Sequence, residues 1–414
     1  MKRAIVPLFF AALLLVSCGG GGSSSSGSSA PATSGIKQRA FVTNAYTSQI
    51  VIVNAANDTV RTAFVSDANG NTRSVIADAI NAGSGAGMMA LSPDKKLTLV
   101  FDETSHGITL IDNAKETAIA SFVLPDFTQS MVISTDDRIG YAAVPNAPIS
   151  GQPSGGVEVM DLVNFATPTP LPVPAARRLV LSHGGGKLLV FSENSNQMTV
   201  IDLAAQTITS VPGTGVFDRP VGGVFSPDDS LAYILSCGPE CGGTTANVTV
   251  LNLGDLTLGA STPVSAATTA LLDGSSLYVA GTQFGAGPCG QPLCNLGGRL
   301  DVVNTGSLTV SKSGVPISDG YHQAIVMGND SRLFIGATCS NTTQGCLSIY
   351  NTSAQTAVVS EPNGDVTGLA PIPDRHVVYV VEGGELRIYD TTTGAPQKTQ
   401  IDIVGRAVDV KFMD

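Results

Sequence analysis

The stretch Val221–Leu256, VGGVFSPDDSLAYILSCGPECGGTTANVTVLNLGDL, decides the fold. Its first apolar run ends in Ser226-Pro227-Asp228-Asp229, where Pro presets φ and Asp can bond to the backbone ahead, which predicts a type I turn. A second apolar run, Leu231–Leu235, follows this turn. A looser loop then leads to the alternating strand Val248–Leu253, so the stretch predicts four-stranded antiparallel structure when it is repeated.

Both landmarks of this stretch recur along the chain in the same order. The turn recurs at Ser92-Pro93-Asp94, Ser134-Thr135-Asp136-Asp137, Ser182-His183-Gly184-Gly185, Leu272-Asp273-Gly274, Gly328-Asn329-Asp330 and Ile372-Pro373-Asp374. The alternating strand closes on Asp or Asn at Asn54, Asp112, Asp161, Asp202, Asn252, Asn304, Asn351 and Asp390. Most copies lie about 40–50 residues apart, and this period with four short strands per copy is typical of a β-propeller.

The two ends of the repeat region predict how the ring closes. Ala40–Asn44 resembles the second strand of a unit, but no first strand precedes it. Arg406–Phe412, at the other end, has the character of such a first strand. We therefore expect it to form the innermost strand of the first blade, which would remove two open strand edges. The prediction is an all-β propeller of eight four-stranded blades. Seven blades is the alternative if one degenerate unit is a loop, and a β-sandwich is a further alternative.

Composition supports this fold class and narrows the function. The 414 residues include 46 Gly and no Trp, and only 13% of them are charged. Such Gly-, Val- and Thr-rich chains favour strands and turns, and the one short helix we predict is Arg73–Asn81. The net charge of −11 and the lack of a basic stripe disfavour nucleic-acid binding, because phosphate backbones would be repelled.

The N-terminus has the features of an export signal. Met1-Lys2-Arg3 is followed by the apolar segment Ala4–Val16, which is too short for a mature membrane span. Leu15-Val16-Ser17-Cys18 resembles the bacterial lipobox, which implies removal of residues 1–17 and lipidation of Cys18, and Gly19 after it implies export to the outer membrane. The alternative is an ordinary signal peptide. The Gly/Ser-rich segment 18–35 is predicted to be a flexible linker, and 36–414 the propeller domain.

The repeats themselves resemble a known group. Phe41-Val42-Thr43-Asn44, the strands closing on Asp or Asn, and the Ser-Pro-Asp turns are similar to YVTN-type β-propeller repeats, over essentially the whole of 36–414. That group belongs to a class that includes bacterial lactonase-like propellers. The resemblance implies a secreted or surface protein. Some relatives bind metals or hydrolyse lactones, but none of their catalytic motifs can be placed in this sequence.

The six cysteines after Cys18 form close pairs in three successive units. An even number of cysteines in an exported chain indicates disulfides. Zinc is the alternative, although no His-Cys spacing supports it, and without Cys-x-x-Cys-His no haem attachment is expected. We predict no cofactor and no metal site. The predicted disulfide residues are Cys237 with Cys241, Cys289 with Cys294, and Cys339 with Cys346.

A binding site is expected where the loops are long. In this topology the a–b and c–d turns lie on one face, and the b–c loops and d–a crossovers lie on the other. Binding residues are usually carried by variable loops on a rigid scaffold. The starts of the innermost strands place several polar residues around the mouth of the central channel on this second face, where guanidinium groups would favour an anionic or carbohydrate-like ligand. These candidates are Arg178, Arg219, His322, Asp365 and Arg406, and the alternative is that they simply line a water-filled channel.

Other segments bear on where ligands could bind. Asp67-Ala68-Asn69-Gly70-Asn71 has the start of a calcium loop, but Thr72 and Asp78 stand where Gly and Glu are required, which favours a polar turn. The long irregular segments are expected on the same face as the channel mouth; they are Ala63–Gly87, Asn146–Gly156, Phe165–Ala175, Thr282–Gly298 and Lys312–Tyr321.

These observations predict a lipid-anchored extracytoplasmic propeller that acts as a binding scaffold for an envelope protein or a carbohydrate. The membrane would be contacted through the lipid alone. The first alternative is a lactonase-like or other metal-dependent hydrolase with its site at the channel mouth. The second is a purely structural component of the cell envelope.

Overall fold

The computed structural model describes residues 33–414, except for residues 214, 288, 290, 292, 340–342 and 398–399. The predicted signal peptide, Cys18 and most of the linker therefore lie outside the described residues. Ser34–Asp414 forms one compact unit. In the described part of the chain, no helix is long and apolar enough to cross a membrane.

Almost all regular structure in the described residues is β-strand, with one 3₁₀ turn at Gly238–Cys241 and no α-helix. The first half contains β1 (Arg39–Asn44), β2 (Gln49–Asn54), β3 (Thr62–Ser66), β4 (Thr72–Ile76), β5 (Ala79–Asn81), β6 (Ala86–Leu91), β7 (Leu97–Asp102), β8 (Gly107–Asp112), β9 (Thr117–Val123), β10 (Ser130–Ile133), β11 (Ile139–Val144), β12 (Gly156–Asp161), β13 (Thr169–Pro172), β14 (Ala176–Leu181), β15 (Lys187–Ser192), β16 (Gln197–Asp202) and β17 (Thr207–Pro212). The second half contains β18 (Pro220–Phe225), β19 (Leu231–Ser236), β20 (Asn247–Asn252), β21 (Leu258–Pro263), β22 (Thr269–Asp273), β23 (Ser276–Gly285), β24 (Cys294–Asn304), β25 (Thr309–Ile317), β26 (Tyr321–Met327), β27 (Arg332–Thr338), β28 (Leu347–Asn351), β29 (Thr356–Val359), β30 (Val366–Ile372), β31 (Val377–Glu382), β32 (Glu385–Asp390) and β33 (Ala407–Phe412).

These strands form the eight blades of a β-propeller. Blade 1 has the order β33-β1-β2-β5, and blades 2 to 7 are β6–β9, β10–β13, β14–β17, β18–β21, β22–β25 and β26–β29. Blade 8 is β30–β32, and its fourth segment is held by isolated bridges at Pro396 and Ile401. Each innermost strand contacts the innermost strands of both neighbouring blades, so the ring is closed. The prediction of eight blades is confirmed.

The C-terminal strand closes the ring as the sequence predicted. β33 pairs antiparallel with β1, and Val410 lies opposite Val42. The Arg39 guanidinium binds the Asp414 carboxylate at 2.6 Å, and the Asp409 carboxylate accepts a hydrogen bond from the Met89 amide of blade 2 at 2.9 Å. Because β1 would otherwise expose an unpaired edge, this pairing protects the point where the first and last strands of the propeller meet.

The core lies between neighbouring blades rather than within any one of them. Leu99, Phe101 and Ile108 of blade 2 pack with Met131 and Met160 of blade 3 in one buried cluster. Successive side chains of a strand point to opposite faces of the blade, and each face is covered by a neighbouring blade. Leu99 and Phe101 therefore pack with blade 3, whereas Val100 between them packs with blade 1. Burial of such side chains stabilises the fold by about 1.5–3 kcal/mol each.

The a–b turns share one construction in blades 2 to 5. In Ser226-Pro227-Asp228-Asp229, the buried Ser226 hydroxyl donates to Asp228 at 2.6 Å and accepts from the Leu231 amide at 3.0 Å. Asp229 has a φ of 54°, so the chain makes a type I turn followed by a left-handed residue. The equivalent hydroxyls also bind the amide five residues on, and they belong to Ser92, Ser134 and Ser182.

Two predictions about the first insertion were wrong. Residues predicted as a helix, Arg73–Asn81, form parts of β4 and β5, because β4 pairs with β3 in a hairpin. This hairpin joins β2 to β5, so it belongs to a c–d connection and not to the face of the channel mouth. Its tip is the predicted polar turn, in which Asp67 accepts bonds from the amides of Asn69 and Asn71. Phe165–Ala175 likewise begins in a c–d connection and includes β13.

Candidate functional site

A central channel runs along the axis of the ring. Its cavity has a volume of about 670 Å³, and its walls come mainly from seven innermost strands, with further residues from the ends of neighbouring strands and from the loops before β10 and after β15. We call the face with the b–c loops and d–a crossovers the loop face, and the face with the a–b and c–d turns the turn face. Every innermost strand of blades 2 to 8 begins at the loop face, so residues at these starts surround the mouth of the channel there.

β-Bulges aim side chains into this channel. Pairing of the innermost strand with its neighbour skips one residue near the start of the strand in four blades. A bulge breaks the alternation of side chains, so two successive residues can point towards the same side. The skipped residues all line the channel, and they are Arg177, Val221, Gln323 and Thr367.

Blade 4 consequently places two adjacent arginines in the channel wall. The Arg177 guanidinium is bound by the Glu193 carboxylate at 2.7 Å, and its Nε donates to the Gln129 side chain at 3.1 Å. Its charge is therefore already compensated. Arg178 has no ion pair in the described part of the chain, and its Nη1 donates only to the Thr268 carbonyl at 2.9 Å. The charge of Arg177 is thus paired with a carboxylate, whereas the charge of Arg178 is not.

The Arg178 side chain crosses the start of blade 5 to reach blade 6. It passes over Gly222, where an added Cβ would lie 3.3 Å from Nη1, so the glycine leaves the space that the guanidinium occupies. The channel wall surrounds Arg178, although water in the channel reaches part of it. This burial lowers the pKa of its guanidinium, while the nearby Tyr321 opposes the shift. An arginine nevertheless stays charged at neutral pH.

The channel wall carries a small excess of positive charge in an acidic protein. Its cations are Arg177, Arg178, Arg219 and Lys411, and its carboxylates are Glu103, Glu193 and Asp409. Asp409 is bound by Lys411 at 3.0 Å, as Glu193 is by Arg177. Since the whole chain has a net charge of −11, the channel differs from the rest of the molecule in sign.

Of the five residues predicted at the mouth, the structure brings Arg178 and Arg219 together in the wall of the channel. Arg219 has no ion pair in the described residues; its guanidinium donates to the Asn194 carbonyl. The Asp365 carboxylate accepts from the Cys339 amide at 2.9 Å. Arg406 is exposed beside Gly384. His322 is fully buried, and neither it nor Asp365 or Arg406 lines the cavity.

His322 belongs to a buried polar cluster between blades 5, 6 and 7. Its Nε2 donates to the Ser318 carbonyl at 3.0 Å, which leaves Nδ1 as a buried acceptor without a partner among the described residues. Burial lowers the pKa of this imidazole to about 4. In the same region, the Glu240 carboxyl accepts from the Thr282 amide at 2.8 Å. Burial, with help from the nearby Asp319, raises the pKa of Glu240 to about 8.

Three disulfides brace the loop face. They join Cys237 to Cys241, Cys289 to Cys294, and Cys339 to Cys346, each within the b–c loop of blades 5, 6 and 7, as predicted. The Cα–Cα distances of 5.4–5.8 Å are typical of disulfides. Such bonds persist in oxidising compartments, so they favour a protein that matures outside the cytoplasm.

Sequence reasoning missed the residues that compensate the channel charges. Gln129 and Glu193 lie 48 and 16 residues from Arg177, in a crossover and after a neighbouring strand, so strand periodicity alone does not connect them. Arg177 itself could have been predicted as a channel residue from the adjacent pair Arg177-Arg178. Two successive charged residues at the start of a buried strand indicate a bulge, because strict alternation would bury one of them between blades.

Comparison with known proteins supports the fold. No family model matches the chain, and no curated protein matches it. Among solved structures, it is similar to dihydro-heme d1 dehydrogenase NirN in complex with DHE, with a TM-score of 0.63 and 13% identity over 90% of this chain and 74% of that chain. It is also similar to Kuenenia stuttgartiensis hydrazine synthase, with a TM-score of 0.55 and 14% identity over 74% of this chain and 95% of that chain. The shared property is the β-propeller fold, and membership of the YVTN-type group stays a prediction.

Proposed function

We propose that this protein is a lipid-anchored, extracytoplasmic binding scaffold that holds a partner protein on its loop face. The observation that carries the proposal is the composition of the channel mouth, where aromatic and guanidinium side chains surround an open cavity. Phe127 and Tyr321 line this mouth with Arg177, Arg178 and Arg219, and both aromatic residues are more than a third exposed. Aromatic residues and arginine are enriched where proteins bind one another.

The rigidity of the loop face adds to this support. Three disulfides close successive b–c loops, and side-chain caps such as Asp365 on the Cys339 amide fix loops to neighbouring blades. Loops that are already ordered lose little conformational entropy when a partner binds. A lipid on Cys18 and the linker 18–35 would keep this face near a membrane while leaving it free to turn.

The hydrolase alternative has less support in the channel. It needs carboxylates that are available for proton transfer or for a metal. Glu193 and Asp409 are engaged by Arg177 and Lys411, and Glu103 is the remaining channel carboxylate. In the described residues, no group of three or more His, Cys, Asp or Glu is arranged to hold a metal ion. No particular arrangement therefore favours hydrolysis over binding.

Photocrosslinking in cells tests the proposal on matched positions. Leu293 on the loop face and Val163 in a turn-face c–d connection are 50% and 49% exposed, so both present a similar apolar surface. A photoreactive amino acid at position 293 should capture a discrete protein, and the same residue at position 163 should not. Equal capture from both positions would contradict the proposal, and a carbohydrate captured at 293 would replace the partner protein.

The lipid anchor is tested separately. Cys18→Ala should release the protein from the membrane fraction and abolish labelling by a fatty-acid analogue. Retention of the Cys18→Ala protein in the membrane would show that another segment anchors it. Because this variant leaves the propeller intact, its effect is independent of the crosslinking result.

A further inference from the structure

The Arg178 guanidinium has an unused hydrogen-bonding edge inside the channel. A guanidinium carries five N–H groups, and only Nη1 of Arg178 makes a hydrogen bond to the described residues, to the Thr268 carbonyl at 2.9 Å. Nε and Nη2 have no partner among the described residues, and neither is a buried unpartnered atom, so water in the cavity reaches both donors. This edge matches the two oxygens of a carboxylate, which can accept both hydrogen bonds at once.

The position of the side chain is fixed before any ligand arrives. Arg178 lies in β14, is held at Thr268 of blade 6, and fills the space above Gly222. An arginine that is anchored in this way loses less freedom on binding than an arginine on an open surface. The position of Arg178 is set by residues of three consecutive blades and does not depend on one loop.

Burial leaves this cation poorly compensated. The pKa of Arg178 is lowered because burial disfavours its charged form, and no carboxylate among the described residues forms an ion pair with it. Burying an unpaired charge costs free energy that an anionic ligand would offset. Its neighbour Arg177 shows the compensated case in the same strand, since Glu193 binds it at 2.7 Å.

The rest of the wall sets the charge and shape of the ligand. Glu103, Glu193 and Asp409 share the cavity, so a ligand with several negative charges would be repelled more than a monoanion. Met88, Phe127 and Val221 contribute apolar surface to the same cavity. Phe127 is itself held against Phe101, with ring centroids 5.3 Å apart. The cavity of about 670 Å³ is of the size that small-molecule sites have.

We propose that the channel is a binding site for a small organic monocarboxylate, whose carboxylate pairs with the Nε–Nη2 edge of Arg178 while its apolar part lies against Phe127 and Val221. This goes beyond the scaffold function, because the carboxylate binds inside the channel whether or not a protein occupies the loop face. A free carboxylic acid and a carboxylate at the end of a larger molecule present the same group to the arginine.

The test observes the arginine directly. The full-length protein is labelled with ¹⁵N-arginine, and the Nε–H resonances are followed while benzoate or the uncharged benzamide is added. The Arg178 resonance is identified by its loss in Arg178→Gln. Benzoate should shift this resonance in a saturable way, and benzamide should leave it unchanged. The same titration is then repeated with a short peptide that has a free C-terminal carboxylate and with the same peptide as its C-terminal amide. A shift of the Arg178 resonance by the free peptide alone would show that the site also accepts a carboxylate at the end of a larger molecule.

Variants complete the test. Arg178→Gln should weaken benzoate binding roughly 10- to 100-fold, the range expected for loss of a charge-assisted bidentate pair. Gly222→Ala keeps the charge but displaces the guanidinium, since its Cβ would approach Nη1 to 3.3 Å, and it should also weaken binding. The control is Arg73→Gln, which removes an exposed arginine of the β3–β4 hairpin and should leave the affinity unchanged.

Several results would overturn the proposal. These are equal effects of benzoate and benzamide, full-affinity benzoate binding in Arg178→Gln, or a shift confined to other arginines. If Arg178→Gln does not fold, the wild-type titration and Gly222→Ala decide the question, with the Arg178 resonance then assigned by its loss in Arg178→Lys. In that case, unchanged affinity in Gly222→Ala together with the absence of a benzoate-dependent Arg178 shift would count against the site.

Discussion

The two faces of the ring are built by different rules from the same repeat. On the turn face, a buried serine and an aspartate two residues later close each of several a–b turns by local hydrogen bonds. On the loop face, closure comes from disulfides and from carboxylates such as Asp365 that cap a loop of the preceding blade. The turn-face closures thus join residues two to five apart in sequence. The loop face combines short-range disulfides with caps between blades, such as Asp365 on the amide of Cys339, 26 residues away.

This difference indicates which segments of the molecule can vary in sequence and length without loss of the fold. A turn closed by its own residues can be repeated in each blade without changing its neighbours. Loops that are closed by a disulfide or capped from a neighbouring blade can differ in length and still be ordered. The loop face can therefore hold Arg178 in the channel wall and Glu240 in the buried polar cluster at some cost in stability. Four variants would test this division, and we describe them from the largest expected effect to the smallest.

Glu240→Gln should stabilise the protein at alkaline pH. Burial raises the pKa of Glu240 from 4.5 to about 8, so the folded protein keeps a proton that the unfolded chain releases above about pH 4.5. Stability from this group is therefore present at low pH and lost as the pH rises towards 8. One pKa unit corresponds to about 1.4 kcal/mol, and with partial access of water we expect a gain of about 2–3 kcal/mol at pH 8.

Urea unfolding of both proteins between pH 4 and pH 8 measures this effect. The gain should shrink towards zero at pH 4. Glu361→Gln, at an exposed position of the same face, is the control for the loss of one carboxyl group. A gain of the same size at pH 4 and pH 8 would mean that the proton on Glu240 is not the cause.

Replacing Cys339 and Cys346 together by alanine should loosen the loop face alone. The disulfide closes a short loop, so the chain-entropy model gives a loss of about 2 kcal/mol in the free energy of unfolding. Amide hydrogen exchange should increase in the b–c loop of blade 7 and should not change in the turn-face segment 328–331. An equal increase on both faces would show that the faces are coupled, which contradicts the comparison.

Ser226→Ala should destabilise the turn face by about 1–2 kcal/mol, because the half-buried Leu231 amide loses the buried Ser226 hydroxyl as its acceptor. Thermal or urea unfolding measures the loss, and crosslinking from position 293 should be unaffected. Ser353→Ala, in an exposed c–d turn of blade 7, is the matched control and should be nearly neutral. A loss of crosslinking in Ser226→Ala would place the turn within the binding surface.

Asp374→Gly should give the smallest effect, a gain of about 0.5 kcal/mol. Asp374 is an exposed a–b turn residue with a φ of 60°, a left-handed conformation that costs an L-residue more than it costs glycine. Differential scanning calorimetry can resolve the shift, and Asp374→Asn should change little because Asn tolerates this conformation. A decrease in stability would mean that the carboxylate has a role beyond the turn.

The same division explains what the sequence could and could not predict. The turns at Ser92 and Ser226, the closing strand Ala407–Phe412 and the three cysteine pairs are encoded by neighbouring residues or by a repeating period, so they were predicted correctly. The position of the β3–β4 hairpin was predicted wrongly. The length of an insertion does not tell whether the extra residues precede or follow the outermost strand of the blade.

Within the candidate site, the sequence predicted which residues lie at the starts of the innermost strands but not which way their side chains face. Arg178 and Arg219 were placed at the channel by alignment of strand starts. His322 was aligned in the same way, yet the register of β26 turns its ring between blades, while the flanking Tyr321 and Gln323 face the channel. The pairing of Arg177 with Glu193 depends on a bulge, and a bulge changes the facing of side chains without changing the period of the repeat.

The strand that completes blade 1 lies far from its partner along the chain. Blades 2 to 7 consist of neighbouring segments and can pair as they emerge, but β1 has to wait for more than 360 residues until Ala407–Phe412 has been synthesised. During this interval blade 1 is the vulnerable end of a nascent ring, open to proteases and to pairing with other chains. Blade 1 is therefore completed only after the strands of all other blades have been synthesised, and a chain that stops before residue 407 leaves the edge of β1 unpaired.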